Sequence, residues 1–275
     1  MESGSLTLAG ADIYWQAHGE GPAVVLAHGI GGNHAIWYRQ LGALARANRV
    51  ILFDHRGFGL SRDHDGRGRD AFVEDLTALL DHLGEKKVAL VGQSMGAGTC
   101  IGFAHRAPER VAALAICDSL HGIIESAPVK AIMDDARAKT ATLGQIERVL
   151  GTHAASELAA LYTQIASFNH ADRHSLAGRF VAKAAADLGG KGFPILFLCG
   201  SEDRLFPIEA VRLVQAEVAG SFLVEVGEAG HSAFLEKPEQ VNDTILSLLQ
   251  IADHVGKAGA AHSNIAGYVP VGDTA

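Results

Sequence analysis

Apolar residues along this chain follow two rhythms that take turns. PAVVLAHG, RVILFDHRG, KKVALVGQ and RVAALAICDS are short, nearly continuous apolar runs rich in β-branched residues, each closed by a turn signal, and this pattern predicts strands buried on both faces. Between them, NHAIWYRQLGALAR, DAFVEDLTALLDHLG and SMGAGTCIGFAHRAP place their apolar residues at helical spacing. Leu76, Leu79, Leu80 and Leu83 form one stripe, and Gly84 follows as a C-terminal stop. Upstream, SLTLAG and ADIYWQAHG are separated by little more than Gly10 and predict an antiparallel opening pair. Strands alternating with helices predict an α/β fold, a largely parallel sheet covered on both faces.

The alternation breaks between residues 120 and 190, where KAIMDDARAKTATLGQIERVL, ASELAALYTQIASF and SLAGRFVAKAAADLGG are all helical in pattern. Strands resume at FPILFLCG and SFLVEVGEAG, separated by IEAVRLVQAEVAG and followed by KPEQVNDTILSLLQIA. A helical insertion between two strands of one sheet is expected to act as a lid over the carboxyl edge, where open α/β sheets bind ligands. The expected organisation is a core domain in two parts, 1–119 and 191–252, a helical lid over 120–190, and a tail over 253–275 rich in small residues.

Composition narrows the function. Of 275 residues, 48% are hydrophobic and 20% charged, enough apolar material for a packed core. A formal charge of −8 and a pI near 5.9 come without the basic stripe that a nucleic-acid binder needs. No segment has the ~20 uninterrupted apolar residues of a membrane span, and MESGSLTLAGADIYWQ lacks a basic region followed by an apolar one, so a cytoplasmic protein is expected. Cys100, Cys117 and Cys199 all lie in apolar runs and are expected to be buried thiols. No C-x-x-C pair or regular metal-ligand spacing occurs; SRDHDGRGRD mixes His64 with acids and is expected to be a solvated loop.

Chemistry concentrates at strand ends. GQSMG places Ser94 between Gly92 and Gly96, where a strand closes and a helix opens. A strained serine at such a turn needs small residues two positions away, and the amide of Met95, at the helix N-terminus, is aimed where an oxyanion develops. HGIGG, after PAVVLA, offers the amide of Ile30 as a second oxyanion donor, the plainer reading being a flexible turn. A serine hydroxyl needs a base and the base an orienting carboxylate. His231, in GEAGHSAF after the last strand, and Asp203, in LCGSEDRLFP after the preceding one, supply both in the order Ser, Asp, His. Asp118, in ICDSLHG, is the rival acid, though a carboxylate at a strand end is more often a turn or cap group.

These stretches, with FDHRGFGLS as a D-x-R-G-x-G-x-S loop, resemble the α/β-hydrolase superfamily from PAVVLAHGIGG to GHSAFLEKPEQV. The resemblance implies an eight-stranded, mostly parallel sheet with the lid inserted after strand 6, Ser94 as nucleophile, His231 as general base and acid, and Asp203 fixing the histidine tautomer. No cofactor or metal is called for, and the rate is expected to rise with pH as the histidine loses its proton. A small-molecule substrate is expected: a small to medium, partly apolar ester or lactone, as in the esterases and enol-lactonases the chain resembles.

Two alternatives remain. One is a carbon–carbon hydrolase of ring-cleavage products, disfavoured by HGIGGN where H-G-x-G-P-G is usual and by Gln93 before the serine; the other is a non-catalytic ligand receptor. Trp37, Leu120, Phe206 and Phe234 are the chief candidates to line the pocket, with Ile30, Met133, Tyr162 and Phe168 behind them. His28 is expected to support the oxyanion loop, and Asp54 and Arg56 to tie loops together. His121, His153, His170 and His174 lie in or near the lid. The lid carries seven acids and seven lysines or arginines, so no net field is expected to steer a charged substrate. The oligomeric state is left open.

Overall fold

The computed structural model describes residues 1–258. Its strands are β1 (Glu2–Leu8), β2 (Ala11–His18), β3 (Ala23–Ala27), β4 (Arg49–Phe53), β5 (Arg62–Asp63), β6 (Val88–Gln93), β7 (Val111–Cys117), β8 (Ile195–Gly200) and β9 (Ser221–Val226). They form one sheet in the order β1-β2-β4-β3-β6-β7-β8-β9, with β5 a two-residue strand beside β2. The eight longer strands are the expected sheet. β1, β2 and β4 pair antiparallel, and from β4 through β3 to β9 every pairing is parallel. All carboxyl ends of the parallel strands therefore reach the same edge.

The period of two along each strand sorts the core into two layers. Val25, Leu90, Leu114, Ile116, Ile195 and Phe197 face one side and pack with α2 (Phe72–His82), α3 (Met95–Arg106), α4 (Ala127–Thr140) and α7 (Ile208–Glu217). Val24, Leu26, Val91, Ala115, Leu196 and Leu198 face the other and pack with α1 (Tyr38–Leu44), α6 (Ser156–Ala166), α8 (Ala233–Glu236) and α9 (Pro238–Ala258). Leu76, Leu79 and Leu80 are fully buried, as the stripe requires, and each such side chain contributes ~1.5–3 kcal/mol relative to exposure. Helix α2 stops where Gly84 turns to φ +73°, a conformation cheap only for glycine.

Residues 120–190 lie between β7 and β8 and contain α4, α5 (Gln145–Val149) and α6. The third stretch read as helical, SLAGRFVAKAAADLGG, is mostly irregular, with one 3-10 turn at Ala185–Leu188. Its backbone groups are taken by distant partners. Arg69 Nη1 donates to the Leu176 carbonyl at 2.9 Å, Arg69 N to Ala177 O at 3.0 Å, Lys183 N to Gly122 O and Ile124 N to Lys183 O. Gly178, at φ +76°, also breaks the helical run. Helix α9 continues to Ala258, so the expected tail overlaps it at 253–258, and 259–275 lies outside the described residues.

Candidate active site

Ser94 stands between β6 and α3 with φ 50° and ψ −115°, a backbone state that costs a non-glycine residue ~1–3 kcal/mol. Its neighbours have no room for side chains. A Cβ on Gly92 would lie 2.5 Å from Ala97 Cα, and one on Gly96 would lie 2.1 Å from the Ala27 carbonyl oxygen. The turn is pinned by Ser94 N donating to Cys117 O at 2.9 Å, and by Ser119 Oγ and Ala97 N donating to Ser94 O. Among the described residues Ser94 Oγ has no hydrogen-bond partner, and the side chain faces a cavity.

The strand ends bring the expected acid and base together. His231 Nδ1 donates to Asp203 Oδ2 at 2.9 Å, and Nε2 has no hydrogen-bond partner among the described residues. Asp203 Oδ1 accepts from the amides of Leu205 (2.8 Å) and Phe206 (3.0 Å), so its orientation is set by backbone. The Phe206 ring stacks on His231 with centroids 5.7 Å apart and 20° between planes. Gln93 Nε2 donates to the His231 carbonyl at 2.9 Å, tying the nucleophile turn to the histidine loop.

Asp118, the rival acid, is fully buried with φ 50°. One oxygen accepts from Gly200 N at 2.9 Å, and the other has no partner among the described residues. Burial first, and the Asp203 charge second, push its pKa well above the usual carboxylate range, which favours its protonated form. Asp118, Asp203 and Cys199 approach within 4.8 Å of one another through their polar atoms. As metal ligands they are a poor set: Asp203 is committed to His231, and the Cys199 thiol, its pKa pushed well up by burial, donates toward the carbonyls of Gly200 and Phe206.

The two expected oxyanion amides, of Ile30 and Met95, have no protein acceptor among the described residues. Behind Ile30, His28 Nδ1 donates to Gly29 O at 2.8 Å, so His28 Nε2 accepts from His55 N at 3.0 Å. His55 Nε2 lies 3.0 Å from Thr99 Oγ1. Burial pushes the His28 pKa down to about 4 and that of His55 well below its ordinary value, so both rings are neutral braces for the turn. Asp54 accepts from the amides of His34 and Leu60. Arg56, 2% exposed, donates to Asp75 and Asp65, each at 2.7 Å. SRDHDGRGRD is thus partly a cage for Arg56 rather than a freely solvated loop.

The cavity over Ser94 measures ≈ 740 Å³. Ile30, Leu120, Met133, Tyr162 and Phe206 line it as expected. Trp37 and Phe234 do not. They pack on each other, ring centroids 4.8 Å apart, inside the core beneath the edge, at 0% and 2% exposure. Their places in the chain, near the glycine turn and near His231, are close to the chemistry, but the helices carrying them turn these rings inward. Phe168 is on the surface.

The cavity also has walls that sequence reasoning missed. Phe180 covers Gly98, where a Cβ would meet its ring at 2.7 Å. Tyr162 Oη and Gln145 Nε2 crowd Gly31, where a Cβ would lie 2.0 and 2.6 Å from them. Arg69 and Arg148 also line it. For Arg69 the one available signal was its membership of the charged loop SRDHDGRGRD. Glu236 links the histidine loop to residues 120–190 by accepting from Gly230 N (3.0 Å) and Gly151 N (2.9 Å).

Residues 22–170 match the family model of the alpha/beta hydrolase fold. A 2-hydroxymuconate semialdehyde hydrolase of Pseudomonas putida is 30% identical over 255 residues, 86% of this chain and 89% of that one. A protein of Azorhizobium caulinodans named for carbamate hydrolysis is 37% identical over a shorter stretch of 107 residues, so the match spans 38% of this chain and 40% of that relative's length. Among solved structures, a thermophilic esterase from Thermogutta terrifontis superposes with a TM-score of 0.75 at 25% identity, covering 92% of this chain and 99% of that one. The chain belongs to the α/β-hydrolase fold family, and these relatives are named as hydrolases and an esterase. Among the described residues no helix is long and apolar enough to cross a membrane.

Proposed function

We propose that the protein is a serine hydrolase that cleaves a small to medium, partly apolar ester or lactone through an acyl-enzyme on Ser94. The observation that carries this reading is a strained serine facing a ≈ 740 Å³ cavity, in a turn tied through Gln93 to the loop of a histidine whose Nδ1 is held 2.9 Å from a buried carboxylate. His231 Nε2 takes the Ser94 proton as Oγ bonds to the carbonyl carbon, and the amides of Ile30 and Met95 receive the negative oxygen. The proton passes from His231 to the departing alkoxide. Water, losing its proton to Nε2, then adds to the acyl carbon, and Ser94 Oγ leaves with that proton. Leu120 and Phe206 contact the apolar part of the substrate. Residues 120–190 serve as the lid between core segments 1–119 and 191–252, and the reaction runs without a cofactor.

Turnover of p-nitrophenyl butyrate by wild type and Ser94→Ala tests the reading. Loss of on the order of 10³-fold or more in kcat is expected from removing the nucleophile; equal rates in both proteins would end it, and tight ligand binding with no turnover would favour a receptor. A second reading, carbon–carbon hydrolysis, has one observation in its favour, the nearly full-length match to the Pseudomonas putida hydrolase. Faster turnover of 2-hydroxymuconate semialdehyde than of any simple ester selects it.

A further inference from the structure

The residues 120–190 carry balanced charge, but the cavity wall does not. Five arginines line it (Arg69, Arg137, Arg148, Arg173 and Arg179) against two carboxylates, Glu125 and Asp172. Both carboxylates are engaged. Glu125 pairs with Arg137, and Asp172 accepts from His174 N at 2.9 Å and Ser175 N at 2.8 Å. Arg137 is further neutralised by Asp134 at 2.9 Å.

Arg69 and Arg148 are different. Arg69 donates only to neutral carbonyls, those of Leu176 and Gly178, and has no carboxylate within ion-pair distance among the described residues. Burial lowers its pKa, the mark of a cation partly stripped of water without a counter-charge. Arg148 has a buried Nη1 with no hydrogen-bond partner. His121, on the same wall, has its pKa pushed down to about 4 by burial and then by neighbouring charge, that of Arg69 first, and Arg69 and Arg137 line the same cavity. A guanidinium left partly desolvated and unpaired is costly unless a ligand completes it, and its planar fork suits a carboxylate.

We infer that the cavity is built for an anionic substrate, an ester or lactone bearing a carboxylate, which Arg69 and Arg148 hold while Ser94 attacks the acyl carbon. This rests on the serine-hydrolase reading and adds the charge of the substrate to it. The apolar walls, Leu120, Met133 and Phe206, then take the chain between the carboxylate and the scissile bond.

The test compares two esters of equal length, p-nitrophenyl hydrogen glutarate and p-nitrophenyl pentanoate. The expected kcat/KM favours the anionic ester by about tenfold or more, the size of a charge-assisted contact, and Arg69→Gln or Arg148→Gln each lowers that ratio by about tenfold. A ratio near one in the wild type, or a ratio that neither substitution moves, overturns the inference while leaving Ser94 as nucleophile. Loss of the serine reading has a different signature, equal turnover by wild type and Ser94→Ala. Should neither ester be hydrolysed, calorimetric titration of Ser94→Ala with glutarate decides: binding that weakens about tenfold on adding Arg148→Gln supports the subsite, and no binding at millimolar glutarate overturns it.

Discussion

The carboxyl edge of the sheet and the segment 120–190 meet at one cavity but hold their groups by different means. At the edge, hydrogen bonds that each have a backbone group on at least one side do the holding. Ser94 is locked by hydrogen bonds to Cys117 and Ser119, Asp203 by the amides of Leu205 and Phe206, and the Ile30 turn by His28. The segment instead reaches in with side chains that are partly solvated, such as Phe180 and Arg148. Groups that must be placed to within a fraction of an ångström sit on strand ends whose ladders cannot slip. Groups that select the substrate sit where packing is looser, and can vary without disturbing the first set.

The sharpest break of this comparison lies within the edge itself, between two buried carboxylates. Asp203→Asn is expected to lower kcat on the order of 10³–10⁴-fold, because the amide no longer holds the histidine in its reactive tautomer. Asp118→Asn should change kcat less than about threefold, since a neutral amide replaces a neutral acid and keeps the acceptor for Gly200 N. Stability should move the other way. An acid whose folded pKa is raised favours the fold below the ordinary aspartate range and loses that contribution as pH climbs toward its folded value, so Asp118→Asn gains stability at pH 8 relative to pH 5. Steady-state kinetics and urea titrations on both variants measure it; a crippled Asp118→Asn with an active Asp203→Asn would reverse the assignment.

The neutral histidine braces give the edge a pH signature, and His121 of the segment, also pushed down to about 4 by burial, adds to it with the same sign. His28 is held near a pKa of about 4, so between that value and the ordinary 6.5 the unfolded chain binds a proton that the folded chain refuses. Stability is therefore full above 6.5 and declines as pH falls toward 4. At pH 5 the loss is about 2 kcal/mol for His28, and His55, shifted in the same direction, adds to it. Urea midpoints at pH 7 and pH 5 should show the drop. Independence of pH over that range would mean that the two rings are not held neutral.

The edge was legible in the chain because each of its devices leaves a local trace. Glycines must flank a serine held at positive φ, strand ends precede Asp203 and His231, and the strands themselves are short apolar runs. The segment left no such trace. SLAGRFVAKAAADLGG has helical spacing, yet its carbonyls and amides are captured by Arg69, Gly122 and Ile124, partners more than fifty residues away in sequence. Trp37 and Phe234 misled for a related reason: closeness to chemistry in the chain does not say which way a ring turns. Charge misled as well. Seven acids and seven basic residues balance over 120–190, but Glu125, Asp134 and Asp135 are tied up in ion pairs with Lys130, Arg137 and Lys139, and the cavity is left with the partly buried Arg148, the exposed Arg173 and Arg179, and Arg69 from another loop.

The smallest expected effect tests whether the segment is replaceable wall. Phe180 lies over Gly98 and beside His121, with ring centroids 5.7 Å apart, and is only partly buried. Phe180→Ala should cost about 1 kcal/mol of stability, against about 3–5 kcal/mol for Phe197→Ala in the fully buried β8. Because Phe180 touches neither the Ser94 turn hydrogen bonds nor the His231–Asp203 pair, its loss should raise KM several-fold while kcat stays within about twofold, the pattern of a group that binds ground state and transition state alike. A fall in kcat without change in KM would instead make Phe180 part of the machinery that the edge supplies, and the division between the two regions would fail at that residue.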